Sequence, residues 1–158
     1  YVLHRYPMHH KMRGFGPVYE HMTVHHNFYT DKLYYFESPK DYYIVFFPIH
    51  IAAVIAVSIA AVSFGIYTYF GLNNALFFAL IAYAYYFLYE LLHFLSHTRE
   101  DNFSKRIKWI AKLSYTHRLH HRTKLMAHKN FNITFPIFDK LLGTYYKEDV
   151  KAGPSSKS

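Results

Sequence analysis

The stretch "YYIVFFPIHIAAVIAVSIAAVSFGIYTYFGLNNALFFALIAYAYYFLY", residues 42 to 89, runs for 48 positions without one Asp, Glu, Lys or Arg. A soluble domain needs charged side chains in such a stretch to solvate its surface. The run is long enough for two membrane-crossing helices of roughly 20 residues each, with a turn between them. Residues 44 to 64 predict the first and residues 75 to 95 the second. Gly65, Gly71, Asn73 and Asn74 supply the turn, because Gly and Asn punctuate helices. The sequence therefore predicts an all-α integral membrane fold: a transmembrane helical hairpin with a His-rich cytosolic helical cap.

Charge works outward from the same run. The net charge is +8, and five Lys or Arg precede the run while thirteen follow it. A charge of this size could suggest a nucleic-acid binder, but its distribution argues otherwise, because all of it flanks an uncharged hairpin. By the positive-inside rule both flanks are cytosolic, and the hairpin tip faces the other side. Tyr42, Tyr43, Tyr67, Tyr69, Tyr86 and Tyr89 fall near the expected interfaces, where amphipathic rings belong. With no Cys in the chain, disulfides, thiolate metal sites and in-chain iron–sulfur clusters are excluded. The opening "YVLHRY" reads as the cytosolic end of an upstream hydrophobic helix, so the chain is expected to be N-terminally truncated.

Beyond the hairpin, residues 103 to 129 predict one or two basic helices against the membrane, with Ile107, Trp109 and Leu113 as apolar contacts. "NFNITFPIFDKLLGTYY" follows, mixed apolar and turn-like. Residues 151 to 158 are expected to be a disordered tail after a domain covering 1 to 150.

The flanks are crowded with histidine. "THRLHHRTK" carries His117, His120 and His121; "EHMTVHHNFY" carries His21, His25 and His26; "LLHFLSH" carries His93 and His97. Residues at i, i+3 and i+4 share a helix face. His117 with His120 and His121, His93 with His97, and His21 with His25 all satisfy that spacing. His26 falls about 100° round from His25, on the rim of the face. His4 and His9 are five apart with Pro7 between them, which suits a helix end where the chain turns. A hairpin puts both flanks on one side of the membrane, so the knots can share one site.

Protonated imidazoles this close would repel one another, whereas neutral imidazole is a common ligand of Zn, Cu, Fe and Ni. The knots supply ten: His4, His9, His21, His25, His26, His93, His97, His117, His120 and His121. Two structural zinc sites need eight ligands at most. Two octahedral irons offer about twelve positions, leaving about two for oxygen, water or a bridging group. An open dinuclear site suits redox chemistry with O₂.

These residues resemble the membrane-bound fatty acid hydroxylase and sterol desaturase superfamily. "HRYPMH" is similar to its first histidine box, "HMTVHH" to the second, "HFLSH" to the third and "HRLHH" to the fourth. "NFNITFPIFDKLLGT" is similar to the segment after the last box, ending in aromatic-Asp-x-x-x-Gly-Thr. The resemblance runs from residue 4 to 146, with the hairpin in the same place. It implies a fatty acid hydroxylase-like domain with a di-iron centre of two Fe ions, held by the ten histidines named above. It also implies use of O₂ and external electrons to oxidise C–H bonds of lipids. Zinc is possible as a substitute in isolated forms.

Outside the boxes, Glu90 shares a helix face with His93 and His97 and is expected to hydrogen-bond a ligand imidazole. Asn130 and Asp139 are candidates to orient the last box. His128 reads as solvated or interfacial, and His50 as a polar group near the interface that snorkels. "GFG" at 14 to 16 lacks the rest of a dinucleotide fingerprint, and no HExxH is present. No residues beyond the metal ligands are expected to be catalytic.

The expected function is a membrane non-haem di-iron oxygenase that hydroxylates a C–H bond of a lipid or other hydrophobic substrate. A lipid or sterol desaturase with the same site is the alternative, and a non-catalytic membrane metal-binding protein is a second. A bis-histidine haem cytochrome would need single histidines on facing helices. Without flavin or iron–sulfur motifs, electrons must come from a separate cytochrome or ferredoxin-type donor and its reductase. The bilayer is the other expected partner; the basic residues from Lys105 to Lys129 fit an acidic donor or anionic headgroups.

Overall fold

A computed structural model of the protein describes residues 1–30 and 32–148, and the tail expected to be disordered lies outside the described residues. Among the described residues every regular element is helical. A π-helical turn at His4–Met8 leads into α1 (Gly16–Phe28), and a 3₁₀ turn at Pro39–Asp41 into the short α2 (Tyr42–Val45). The long α3 (Ile49–Phe70) and α4 (Leu72–Ser96) follow. A second 3₁₀ turn (Phe103–Arg106) precedes α5 (Lys108–His120), and the short α6 (Ile137–Leu141) comes last.

The hairpin lies farther along the chain than expected at its start. Residues 44 and 45 belong to α2, where Ile44 and Val45 are buried against Tyr29, with Phe28, Phe36 and Phe94 packed around them. The chain then extends through Phe46, and α3 starts directly after Pro48. Proline lacks the N–H that the first helical turn would leave unpaired, so it suits that place. The turn is also tighter than expected. Gly65 sits inside α3, and Gly71 alone joins the two helices at φ 84°, ψ 170°, a backbone region open essentially only to glycine. Asn74 donates its Nδ2–H to the Phe70 carbonyl at 2.7 Å, satisfying one acceptor that the end of α3 leaves free. Farther down, the Tyr83 hydroxyl donates to the Ala56 carbonyl at 3.0 Å and ties the helices together.

By length and composition α3 and α4 can each cross a membrane. A core helix of a soluble protein would pass the same test, but it would be buried. Here only 6% of the most apolar window of α3, and 17% of that of α4, lie inside the fold.

The other helices form a cap at the end of α4. α5 packs on α4 through Leu92, Ile110 and Leu113, and Ile133 from the segment before α6 completes the cluster. Leu113, expected to face a membrane, is therefore part of this core, while Ile107 and Trp109 remain exposed. Lys105 fastens the joint: its Nζ donates to the Leu95 carbonyl at 2.7 Å and to the Ser114 hydroxyl. Burial pulls its pKa down to about 8.

Candidate metal centre

The cap brings its histidine-bearing segments to one place. α1 supplies His21, His25 and His26, and the last turn of α4 supplies His93, with His97 capping that helix. α5 supplies His117 and His120, with His121 as its cap; His9 caps the π-helical turn that begins with His4. The expected helix end at the first knot is this turn, with Pro7 inside it.

Two groups of four result. His4, His9, His26 and His120 form one, and His25, His93, His97 and His117 the other; in each, one ring nitrogen per residue lies within 4.8 Å of the rest. His121 adds a fifth nitrogen to the second group, its Nε2 lying 3.2 Å from His25 Nε2 and 3.1 Å from His117 Nε2. The Nε2 atoms of His25 and His93, and of His97 and His117, are likewise 3.1 Å apart. Adjacent nitrogens bound to one ion at about 2.1 Å stand about 3.0–3.4 Å apart in octahedral or tetrahedral geometry. The spacing is that of ligands around a cation.

Backbone carbonyls fix which nitrogen faces inward. His4 Nδ1 meets the Phe131 carbonyl, His25 that of Ile44, His97 that of Tyr34, His120 that of Lys129 and His121 that of Tyr29, all between 2.5 and 3.0 Å. A carbonyl only accepts, so each of these Nδ1 atoms carries the proton and each neutral ring turns a bare Nε2 to the interior. His25 and His121 thus direct two lone pairs at each other across 3.2 Å. Only a proton or a metal ion relieves that contact.

Burial disfavours the proton. Desolvation, reinforced by neighbouring imidazoles, lowers His9 to about 3. Desolvation lowers His25 to about 3 and His120 to about 4, in each case partly offset by the carbonyl contact. His4, His26, His97, His117 and His121 are driven well below the ordinary imidazole value for the same leading reason. The site holds neutral nitrogens, the protonation state metal binding needs. Orphaned buried atoms agree: His4 Nε2, both nitrogens of His26 and Nδ1 of His117 have no hydrogen-bond partner among the described residues. Each histidine group could hold one metal ion, with a donor set suited to Zn, Cu, Fe or Ni.

The two groups abut. His120 and His121 are neighbours in the chain and serve different groups. The His26 ring lies 4.6 Å from that of His121 and 5.0 Å from that of His120. His26, expected on a rim, is therefore buried between the groups. His21 stands in neither; it is half-buried, 5.5 Å from the Phe47 ring, its Nε2 without a partner among the described residues and its pKa lowered to about 4 by burial and by His50. His10 and His128 are exposed; of the neighbours His9 and His10, it is His9 that joins His4 in the first group.

The segment 129 to 132 is a backbone clamp on the first group. It carries the Lys129 and Phe131 carbonyls, and Asp139 and Asn130 hold it. Asp139 is fully buried and accepts from Phe131 N at 2.9 Å, Asn132 N at 2.7 Å and the Thr144 hydroxyl at 2.7 Å. Asn130, at φ 56°, donates to the Thr116 and Tyr146 carbonyls and accepts from Tyr146 N. Both thus act through the main chain. Glu90 does not meet a ligand imidazole among the described residues; it accepts from Phe47 N at 3.3 Å, and its other carboxylate oxygen is buried without a partner. Sequence reasoning missed the five carbonyls and Lys105. A carbonyl leaves no mark in a sequence, and Lys105 looks like any basic residue of its segment.

A cavity of about 630 Å³ adjoins the first group. His4 and Phe131 line it beside the histidines, and Ile51, Ile55 and Ile59 line it from α3. Tyr85, Tyr86 and Tyr89 line it from α4, and His50 borders it.

Comparison with protein-family models, with curated proteins and with solved structures returns no match to this chain.

Proposed function

We propose that the chain is an integral-membrane, non-haem di-iron oxygenase that hydroxylates a C–H bond of a lipid or similarly hydrophobic molecule. The observation that carries this reading is the junction of a mainly apolar cavity with the first histidine group at His4. Its volume falls within the usual range of small-molecule sites, about 300–1,000 Å³, and side chains of both hairpin helices line it. The similarity of the histidine boxes to the fatty acid hydroxylase and sterol desaturase superfamily supports the same chemistry.

In this reading His4, His9, His26 and His120 hold one iron, and His25, His93, His97, His117 and His121 the other. The bound irons supply activation of O₂, with the overall balance RH + O₂ + 2 H⁺ + 2 e⁻ giving ROH and water. The protein's own work is positional. The carbonyls of Tyr29, Tyr34, Ile44, Lys129 and Phe131 keep the Nε2 lone pairs inward. The Phe131 ring packs 5.6 Å from both His9 and His120 and shields that side from water. The cavity holds an apolar chain along α3 and brings one carbon beside His4. In this reading the electrons come from a separate cytochrome or ferredoxin-type donor with its reductase, and the centre lies on the cytosolic side, which the Lys and Arg of both flanks support.

The test is anaerobic purification from membranes, metal analysis, and iron Mössbauer spectra before and after O₂, followed by lipid product analysis. The reading expects about two non-haem irons per chain that oxidise together, and a hydroxylated product. A double bond in the product would assign the desaturase alternative. Folded protein that takes up no iron on reconstitution would remove the catalytic reading.

A further inference from the structure

The cap exposes an apolar surface that the metal centre does not use. Trp109, Phe135, Ile137, Phe138, Leu141 and Leu142 are 39 to 73% exposed. Trp109 and Phe135 meet with ring centroids 5.5 Å apart, so the start of α5 and the α6 region form one surface. Between residues 135 and 142 only Asp139 and Lys140 are charged. Asp139 is turned fully inward, and the Lys140 ammonium lies over the Tyr145 ring at 5.7 Å. An apolar patch of this kind marks a binding surface.

Its position identifies the occupant. A hydrocarbon core about 30 Å thick takes up roughly 20 residues of a helix. Counted from the tight turn at Gly71, it ends near Leu91, and Tyr85 lies about 9 Å inside it. The Tyr85 hydroxyl is 3.0 Å from the Thr134 hydroxyl, so the segment leading into α6 is tied to α4 at the depth of the near leaflet. Ile133 packs on Leu92 in the same region. The exposed side chains of α6 thus follow within a few residues of a segment held against α4.

We infer that α6 and its flanks, with Trp109 at the edge, form a third membrane contact that dips into the cytosolic leaflet beside the hairpin. The occupant is lipid acyl chain, and Trp109 sits where interfacial aromatic rings belong. Phe131, Ile133 and Thr134 form one wall of the cavity, so the immersed segment borders the route from the bilayer to His4. The inference rests on the membrane reading of the hairpin, though not on the metal or the reaction.

The chain has no cysteine, so single spin labels can be placed cleanly. Leu141→Cys and, independently, Leu142→Cys would be labelled in protein reconstituted into phosphatidylcholine–phosphatidylserine vesicles. Val57→Cys on α3 and Lys124→Cys on the cap serve as references. Collision with O₂ relative to a water-soluble nickel chelate reads the depth. The expected result is a ratio at 141 and 142 shifted several-fold from that at 124 toward that at 57. A ratio equal to that at 124 overturns the inference. So does low collision with both agents, which would mean that a second copy or another protein segment covers the patch. A wet label at 57 would overturn the hairpin reading itself, and the inference with it.

Discussion

The Nδ1 of His4 lies 2.6 Å from the main-chain carbonyl oxygen of Phe131, 127 residues farther along the chain. That contact selects the tautomer of His4 and aims its Nε2 at the first histidine group. The carbonyl is in turn fixed by Asp139, which accepts the N–H groups of Phe131 and Asn132. A carboxylate that touches no imidazole therefore sets the direction of one.

Asp139→Ala should remove three buried hydrogen bonds to a charged acceptor and destabilise the protein by about 3 kcal/mol or more. Because partners behind a ligand tune affinity by about 10–100-fold, the first ion should also bind more weakly while the second stays. Metal titration followed by elemental analysis reads both. Unchanged loading of two ions at wild-type affinity would refute the link from Asp139 to His4.

His121→Ala should weaken the second ion, because its Nε2 lies within 3.2 Å of two other nitrogens of that group. His10→Ala and His128→Ala, both at exposed positions, should leave metal content unchanged. Equal losses from all three variants would mean that the histidines act as a diffuse cluster rather than as defined sites.

Acid should unfold the metal-free protein before it unfolds comparable helical proteins. An unfolded chain protonates its histidines near pH 6.5, whereas burial holds His9 and His25 near 3 and His120 near 4 in the fold. Below pH 6.5 the unfolded state thus binds more protons, so stability falls as pH drops from there toward 4 and 3. The melting temperature of the metal-free form, scanned from pH 8 to 4, should decline steeply below 6.5. The metal-loaded form should hold until its ligands are competed away. A flat profile for the metal-free form would contradict neutral burial of the imidazoles.

Two glycines of the hairpin should respond with opposite signs. Gly71→Ala forces a side chain into a backbone region that costs of order 1–3 kcal/mol. Gly65 lies inside α3 with nothing within 4 Å of an added Cβ, so Gly65→Ala should stabilise by about 0.5–1 kcal/mol. Thermal unfolding in detergent distinguishes them, and metal content should not change in either.

Much of this was legible in the residues and some was not. The charge-free run from Tyr42 to Tyr89 announced two long helices because so long an uncharged stretch leaves little else. The i, i+3 and i+4 spacings announced shared histidine faces because helical geometry is fixed. His26 was named as a ligand on the rim of its helix face, but spacing describes a helix alone, and its place between the groups depends on His9, His120 and His121 arriving from elsewhere. Leu113 looked like a membrane contact because its basic neighbours suggested a surface helix; packing against Leu92 and Ile133 decided otherwise. The carbonyl latches were invisible, since every residue carries the same group and only the fold chooses which ones serve.

The contact between His4 and Phe131 has a consequence for biosynthesis. The first histidine group joins His4 to a clamp 127 residues farther along the sequence. It cannot close while Phe131 is still unsynthesised, and Asp139 and Thr144, which steady that clamp, are made later still. By then both hairpin helices have been made. An ion held by this group would therefore arrive only after both hairpin helices and the clamp are made, and could not guide the first turns to fold.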